Sequence, residues 1–300
     1  MLRRLAISVL FLAAAALSAQ TASAGSIWAL DNNNDLFAFD HAAPQDLTAG
    51  HSIIGLGEGE RLLNIDFDPR TGQLIGISNR NRLLSINTST GQATPLNTAF
   101  TPALNGIAFG FDVNPAVASQ SRVVSAADQN LRLDNFAASV LAATNLAFAP
   151  SDPNAGKNAN IEALAYSNNI PTATTTTAYA IDPVQDELVR IGSVNGSPSA
   201  PDAGQLTTIG PLGVDVGHVV GMDITRDGVA FAAMQPSTSS FSDLYLINLT
   251  TGHATSLGNI IGGIQVRDIA ADPTVNFAIP EPSGIFAVIA LAGLVARRRR

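Results

Sequence analysis

One segment of the sequence occurs twice without a gap, and this repeat limits the folds that the chain can adopt. Residues 83–96 and 244–257 are identical at eight of fourteen positions. In both copies apolar residues alternate up to an asparagine, as in a strand. A Thr-Gly pair then turns the chain into a second strand-like segment. Alternation with a period of two, followed by a glycine turn, is typical of a β-hairpin. The repeat therefore predicts several copies of one hairpin.

Related segments recur at a regular spacing. Strand-like runs end at Asp40, Asn87 and Asp134, which are 47 residues apart each time, and a degenerate run ends at Gly192. A second family of five strands precedes the hairpins, in segments 64–69, 110–115, 163–167, 221–225 and 268–273. A period near fifty residues, with about four strands in each unit, indicates a β-propeller. We expect an all-β fold with five blades over residues 25–279.

The order of the strands predicts how the ring closes. The last repeat has only its first strand, residues 265–271, whereas the body begins with a second strand, residues 26–30. Pairing the N-terminal strands with the C-terminal strand completes the fifth blade and removes the open edge. The alternative architecture is a β-sandwich with irregular hairpins, against which the regular spacing argues.

The first 24 residues have the pattern of a secretory signal peptide. Arg3 and Arg4 precede thirteen apolar or small residues, and Ala22 and Ala24 frame a cleavage site before Gly25. The alternative, a structural helix, is disfavoured because the run is too short to cross a bilayer and strand-like sequence follows at once. We expect signal peptidase to remove this N-terminal helix and the body to be exported.

The last 21 residues, 280–300, combine three elements. A Pro-Glu-Pro triplet leads into fourteen uncharged residues, 283–296, and then into a cluster of arginines. The triplet and the cluster consist of Pro280, Glu281, Pro282, Arg297, Arg298, Arg299 and Arg300. A helix of fourteen residues spans roughly 21 Å, less than the ~30 Å of a hydrocarbon core, so it would be a marginal permanent anchor.

This tail resembles the PEP-CTERM sorting signal. The resemblance implies a Gram-negative bacterium that makes extracellular polysaccharide and an exosortase-like membrane protease that cuts near the triplet. It also implies the route of the protein. The apolar C-terminal helix anchors it transiently in the inner membrane, and it then reaches the periplasm, the cell surface or the extracellular matrix. The alternative is a simple tail anchor, which also places the body outside the cytoplasm.

Charge and composition exclude several classes of protein. Six of the 16 basic residues are Arg3, Arg4 and the four terminal arginines. Without the signal and this arginine cluster, but with Glu281 kept, the chain carries ten basic and 24 acidic residues, a net charge of −14. Such a surface repels phosphate backbones, and we expect no nucleic-acid partner. The absence of cysteine excludes disulfides, thiolate metal sites and cysteine nucleophiles.

Several segments of the body are similar to one known family. They are residues 28–34, 106–115, 122–125 with 129–132, and 175–182. These segments resemble a secreted bacterial family classed as a domain of unknown function (domain of unknown function 4394 type). The family has no established activity or catalytic residues, so the resemblance supports the fold and the export route alone.

Three carboxylates occupy the same column of the predicted innermost strands: Asp66, Asp112 and Asp223. Near the axis of a propeller they would converge, and such a group attracts a cation or a polyol, or performs acid–base chemistry. The alternative is that each carboxylate accepts hydrogen bonds from backbone amides of a neighbouring blade and so pins the ring. We favour this alternative, because positions in a repeat usually recur for structural reasons.

Three arginines complete the candidate axial face: Arg122, Arg132 and Arg267. They stand out in a body with few basic residues, and we expect them to pair with the inner aspartates. Such pairing would neutralise the axis and argue against a metal there.

Other motifs are weak. Residues 31–35 begin like a calcium loop, but Leu36 stands where the loop needs glycine and Ala42 where it needs glutamate, which favours a polar turn. The four histidines lack metal-ligand spacing, and no hydrolase, zinc-protease or phosphate-binding motif occurs. We therefore expect no metal, no cofactor and no catalytic residue.

The function that these features favour is a non-enzymatic binding or structural module of the extracellular matrix, whose partner is a glycan or a matrix protein. The alternative is an enzyme that acts on extracellular polysaccharide with two of the three inner aspartates.

Overall fold

The computed structural model describes residues 26–137 and 139–277, which form five β-sheets arranged as the blades of a propeller. The innermost strand of each blade packs against that of the next, and the fifth packs against the first, so the ring is closed. The predicted five-bladed propeller is confirmed. The predicted signal peptide with its cleavage site, and the predicted sorting tail, lie outside the described residues. Within the described ranges, no helix is long and apolar enough to cross a bilayer.

Blade 1 joins the two ends of the described chain. From the axis outward its strands are β21 (Val266–Ala271), β1 (Ser26–Asp31), β2 (Asp35–Asp40) and β3 (Ala43–Ser52). Strand β1 is antiparallel to β21, with Ile27 opposite Ala271 and Trp28 opposite Ala270. The predicted closure, in which N-terminal strands pair with the C-terminal strand, is confirmed.

Blades 2 and 3 are four-stranded antiparallel sheets in chain order from the axis outward. Blade 2 contains β4 (Leu62–Phe67), β5 (Leu74–Ser78), β6 (Leu83–Ile86) and β7 (Ala93–Pro95). Blade 3 contains β8 (Phe109–Val113), β9 (Gln120–Ser125), β10 (Asn130–Asp134) and β11 (Val140–Ala142).

Blade 4 has a fifth strand, because β12 (Ala147–Phe148) pairs in parallel with the outer strand of the blade. Its other strands are β13 (Ala163–Tyr166), β14 (Ala178–Asp182), β15 (Glu187–Ile191) and β16 (Gln205–Pro211), with short 3-10 helices at Val194–Gly196 and Pro201–Ala203. Blade 5 contains β17 (Val216–Ile224), β18 (Ala230–Pro236), β19 (Asp243–Ile247) and β20 (Ala254–Asn259).

The hydrophobic core lies between the blades, in five clusters that each join two neighbouring blades. Strand β1 illustrates why its sequence fits this arrangement. Ile27 and Ala29 pack towards blade 5, whereas Trp28 and Leu30 pack towards blade 2. Successive side chains of a strand point to opposite faces, so an unbroken apolar run supplies two interfaces at once. Each large apolar side chain buried in this way contributes about 1.5–3 kcal/mol.

Neighbouring innermost strands approach each other closely at two glycines. A Cβ atom on Gly110 would lie 2.6 Å from the backbone carbon of Ala163, and one on Gly221 would lie 2.4 Å from the Cα of Asp268. Both distances are shorter than real Cβ atoms tolerate. Glycine is therefore required at these positions by the proximity of the next blade.

The segment that resembles the start of a calcium loop is the turn between β1 and β2. The Asp31 carboxylate accepts hydrogen bonds from the backbone N–H groups of Asn33 and Asp35, at 2.7 and 2.8 Å. This carboxylate stabilises its own turn, as aspartate does in many tight turns.

Candidate functional site

The side chains of Asp66, Asp112 and Asp223 converge on the propeller axis. They come from β4, β8 and β17, and one carboxylate oxygen of each lies within 4.8 Å of those of the other two. All three residues are buried. Oxygens no farther apart than this can bind one Ca²⁺, whose bonds to oxygen are 2.3–2.6 Å long, so these three described residues have the chemistry of a hard-cation ligand set.

Two of these carboxylates are already engaged with backbone amides. One oxygen of Asp66 accepts the N–H of Phe67, and the other accepts the N–H of Val113 in blade 3. Asp223 repeats the pattern with Ile224 and, in blade 1, with Ala271. Each of these four bonds is 2.6–2.7 Å long. Carboxylates bound in this way hold neighbouring blades together.

Asp112 differs from the other two carboxylates of the column in one oxygen, although the backbone N–H of Tyr166 in blade 4 acts to lower its pKa. Its Oδ1 atom is buried and has no hydrogen-bond donor among the described residues. Buried polar atoms are almost always hydrogen-bonded, so this oxygen stands out.

A fourth buried carboxylate, Asp268, was not predicted as part of the axial group. It lies in β21, two residues before the column position, and its Oδ2 atom accepts the N–H of Ile65 in blade 2 at 3.0 Å. Residues two apart in a strand share a face, which was the signal available in the sequence. The three predicted aspartates and Asp268 therefore belong to one axial group.

Burial and mutual repulsion keep these groups from ionising together. Burial raises the pKa of Asp66 well above its usual value, and the negative charge of Asp223 raises it further. Burial, and then the charge of Asp66, raise the pKa of Asp112 in the same way. Burial raises the pKa of Asp223 to about 6, although the N–H groups that it accepts oppose the shift. Burial also raises the pKa of Asp268 well above its usual value.

The predicted pairing of arginines with the inner aspartates is wrong. Arg122 and Arg132 both form ion pairs with Asp202, on the short helix that precedes β16. Arg122 also donates to the hydroxyl of Tyr166 in blade 4 at 2.8 Å. These arginines stand on β9 and β10, one and two strands away from the axis. Their side chains therefore meet a carboxylate at the outer part of the interface between blades 3 and 4.

Arg267 does not pair with an inner aspartate either. Its guanidinium donates to the side-chain oxygen of Asn32, at 3.0 and 3.2 Å, and to the backbone carbonyl of Leu62. This arginine belongs to a separate cavity, at the end of the ring where the innermost strands begin.

All five blades line this axial cavity, which has a volume of about 180 Å³. Its lining residues are Asn32, Arg61, Leu63, Asn64, Ile107, Ala108, Phe109, Glu162, His218, Val219, Val220 and Arg267. One residue of each blade occupies the same repeat position, immediately before the aligned strand segments: Leu63, Phe109, Glu162, Val220 and Arg267. Three members of this ring are apolar and two carry opposite charges.

Glu162 is buried at the wall of the cavity. Its Oε1 atom accepts a hydrogen bond from Asn160 and lies 2.7 Å from Nδ1 of His218. Its Oε2 atom is buried, and no described residue donates to it. Burial raises the pKa of this carboxyl, while His218 opposes the shift.

Asn64 is the second buried acceptor of the cavity. Its amide nitrogen donates to the carbonyl of Phe109 at 2.8 Å, which fixes the orientation of the side chain. Its Oδ1 atom has no donor within the part of the chain that the structure describes. The wall of the cavity therefore contains two buried oxygen acceptors and two cationic side chains, those of Arg61 and Arg267.

Sequence reasoning did not single out Glu162, Asn64 or Arg61. The alignment of the repeats contains a signal for Glu162, because a charged residue stands there in a column that is apolar in three other blades. No comparable signal marks Arg61, which is an exposed arginine just before β4.

Several solved structures are similar to this chain. Regucalcin of Agrobacterium tumefaciens str. C58, a calcium-binding protein, is 12% identical with a TM-score of 0.44, over 89% of this chain and 86% of that one. A protein of unknown function from Bacteroides thetaiotaomicron VPI-5482 is 14% identical, with a TM-score of 0.48 and coverages of 84% and 66%. The protein YCF48, bound to a D1 peptide, is 8% identical, with a TM-score of 0.39 and coverages of 79% and 64%.

No curated protein matches the sequence. A family model does match, over residues 35–270, and this agrees with the resemblance seen in the sequence. The chain belongs to the family described as Domain of unknown function (DUF4394).

Proposed function

We propose that this chain is an exported, non-enzymatic propeller that binds a component of the extracellular matrix in its axial cavity. The observation that carries the proposal is the pair of buried acceptors, Oε2 of Glu162 and Oδ1 of Asn64, which belong to residues of the cavity wall and have no donor among the described residues. Buried polar atoms are satisfied by protein, ordered water or ligand. Ligand hydroxyl or N–H groups in the cavity would complete both.

Binding in the cavity is tested with an array of bacterial polysaccharide fragments and the purified full-length protein. Ala108→Trp fills part of the cavity without removing a polar group, and we expect it to abolish retention. The matched control is Ala155→Trp, at an exposed loop position that is not part of the cavity lining. Equal retention by the two variants would place the binding site elsewhere, and release of sugar from any fragment would argue for an enzyme.

An enzyme that acts on polysaccharide is the second candidate. The oxygens of Asp66, Asp112 and Asp223 lie within 4.8 Å of one another, close to the spacing of about 5 Å that retaining glycosidases use. Burial argues against this candidate, because a sugar ring must lie between the two carboxyl groups. The backbone N–H groups bound to Asp66 and Asp223 also occupy the oxygens that catalysis requires.

The catalytic candidate has a direct test. Polysaccharides are incubated with the protein and with Asp223→Asn, and new reducing ends are measured. Release of reducing ends by the native protein, with loss in the variant, would replace the binding proposal by the catalytic one.

The export route remains part of the proposal. It rests on the sequence patterns of residues 1–24 and 280–300. In a host with an exosortase-like protease, we expect the native protein in the extracellular fraction. A variant with alanines at Pro280, Glu281 and Pro282 is expected to stay with the inner membrane. An unchanged distribution of this variant would contradict sorting by the triplet.

A further inference from the structure

Two arginines lie close together at the mouth of the axial cavity. Arg61 and Arg267 both line it. Burial lowers the pKa of Arg267 and the positive charge of Arg61 lowers it further, while the negative charges of Asp31 and Asp268 oppose the shift. Neither guanidinium is within ion-pair distance of a carboxylate in the described ranges, where the ion pairs of arginine involve Arg82, Arg122 and Arg132. The acceptors of Arg267 are the neutral oxygens of Asn32 and Leu62.

This arrangement is unusual in so acidic a chain. The net charge of −14 for the chain without the signal and the terminal arginines would repel an anion over most of the surface. Two adjacent arginines that form no ion pair with any described residue are a local exception, and their planar donors suit an oxyanion. The same positive charge disfavours a metal cation in the cavity. The group that this side of the cavity fits best is therefore a carboxylate.

The ligand must also carry hydrogen-bond donors. Oε2 of Glu162 and Oδ1 of Asn64 are acceptors, so a carboxylate alone would leave both of them unsatisfied. Hydroxyl groups on the same small ring as the carboxylate would reach the second side of the cavity. A volume of about 180 Å³ corresponds to roughly six waters at about 30 Å³ each, which is room for one such ring.

A second cavity adjoins the first one. It has a volume of about 270 Å³ and shares Arg61, Leu63, Ile107 and Phe109 with the axial cavity. Ile107 is 92% exposed, although it is a large apolar residue. An exposed apolar surface beside polar groups suits the C–H face of a sugar ring. Because the two cavities share four lining residues they adjoin each other, and we call them together the groove.

We infer that the ligand of this groove is an acidic polysaccharide, with the carboxylate of a sugar acid bound by Arg61 and Arg267 in the axial cavity. In this arrangement Glu162 and Asn64 accept hydroxyl groups of the same sugar. The next unit of the polymer packs on Ile107. This inference rests on the proposed function and names the chemical class of its ligand.

Calorimetry with two matched probes tests the inference. The probes are oligogalacturonate, which carries a carboxylate on each ring, and the neutral galactan oligosaccharide of the same length. The full-length protein is compared with Arg61→Met, which alters an exposed side chain and so preserves the fold. The control is Arg226→Met, beyond the opposite end of an innermost strand. Thermal melts of all variants establish that they are folded.

We expect oligogalacturonate to bind and the neutral probe to bind at least about tenfold more weakly, because a charged hydrogen bond is lost. Arg61→Met should weaken binding of the acidic probe by a similar factor, and Arg226→Met should leave it unchanged. Equal binding of both probes, blocked by Ala108→Trp, would overturn the acidic ligand and keep the proposed function. Absence of binding by any saccharide would overturn both.

Competition with two other anions tests whether the groove recognises the sugar as well as its carboxylate. Oligoglutamate that displaces the acidic probe with equal affinity would assign the groove to an acidic peptide and overturn the inference. Acetate that competes with equal affinity would show that the groove is a simple carboxylate site that does not recognise the sugar, and would overturn the inference. Persistence of oligogalacturonate binding against both competitors supports the inference.

Discussion

The carboxylate of Asp66 in blade 2 accepts a hydrogen bond of 2.7 Å from the backbone N–H of Val113 in blade 3. Asp223 in blade 5 has the same relationship to Ala271 in blade 1, at 2.6 Å. The innermost strand of each blade is an edge strand, and its N–H groups on the axial side lack partners within their own sheet. These aspartates supply the missing acceptors and join neighbouring blades at the axis.

Removing the Asp66 carboxylate is therefore expected to destabilise the ring. Asp66→Ala leaves the buried N–H groups of Phe67 and Val113 without an acceptor, at a cost of about 1–3 kcal/mol each in the free energy of unfolding. Urea denaturation measures the change. The control is Asp46→Ala, which removes an exposed carboxylate of β3. Equal midpoints for the two variants would contradict a structural role of Asp66.

Asp112 is expected to respond in the opposite direction. Its Oδ1 atom lacks a donor within the described residues, and burial penalises its charge. Asp112→Asn removes this charge with little change in volume, so we expect an unchanged or raised melting temperature at neutral pH. Asp66→Asn places an amide nitrogen next to a backbone N–H, and this variant should have a lower melting temperature. A fall of several degrees for Asp112→Asn would contradict this assignment.

Much of the ring was predictable because its signals are local or periodic. The alternation of apolar residues predicts the strands, and the spacing of Asp40, Asn87 and Asp134 predicts the blades. The convergence of the three aspartates follows from their common position in the repeat. Closure through β1 and β21 follows from the incomplete repeats at the two ends of the body.

The partners of individual side chains were not predictable in this way. Arg122 and Asp202 are 80 residues apart, and Asp202 lies in a connection of blade 4 that has no counterpart in the other blades. The repeat therefore contains no information about their ion pair. The axial cavity arises where five equivalent positions meet, and its chemistry depends on the two exceptions, Glu162 and Arg267.

The pH dependence of stability has a defined sign. The pKa of Asp223 is raised from 3.8 to about 6, and those of Asp66, Asp112 and Asp268 are raised as well. Between the usual and the raised pKa the native state binds more protons than the unfolded state, so stability falls as pH rises. We expect the melting temperature to decrease from about pH 4 to about pH 7.

Thermal melts in the presence of a chelator measure this slope without a bound cation. Asp223→Asn should flatten it, because the variant cannot ionise at that position. A melting temperature that rises between these pH values would contradict the assignment. Addition of calcium provides a second check, since a cation bound by the three carboxylates would keep them ionised and reverse the slope.

Glu60 is expected to affect the stability of the protein in acid. The Arg82 guanidinium, opposed by burial, and the Ser78 hydroxyl lower the pKa of Glu60 from 4.5 to about 2. Its stabilising effect is present above the usual pKa and is lost as pH falls towards about 2. Glu60→Gln should lower the melting temperature at neutral pH and reduce its loss in acid. An unchanged acid transition in this variant would contradict the role of the ion pair.

Close packing of the innermost strands gives the sharpest steric test. A Cβ atom on Gly221 would lie 2.4 Å from the Cα of Asp268, which belongs to the backbone of the neighbouring blade. Gly217 lies in the same strand, and the nearest atom to a Cβ atom there is the carbonyl oxygen of Gln235, at 3.6 Å.

We expect Gly221→Ala to lower the free energy of unfolding by about 1–3 kcal/mol or more, because the two strands must separate. Gly217→Ala should change it by less than about 1 kcal/mol, because the new methyl group meets no close contact. Both substitutions replace glycine by alanine in β17, so a difference between their unfolding midpoints measures the contact between β17 and β21. Equal midpoints would mean that blades 5 and 1 do not approach each other as closely as the closed ring requires.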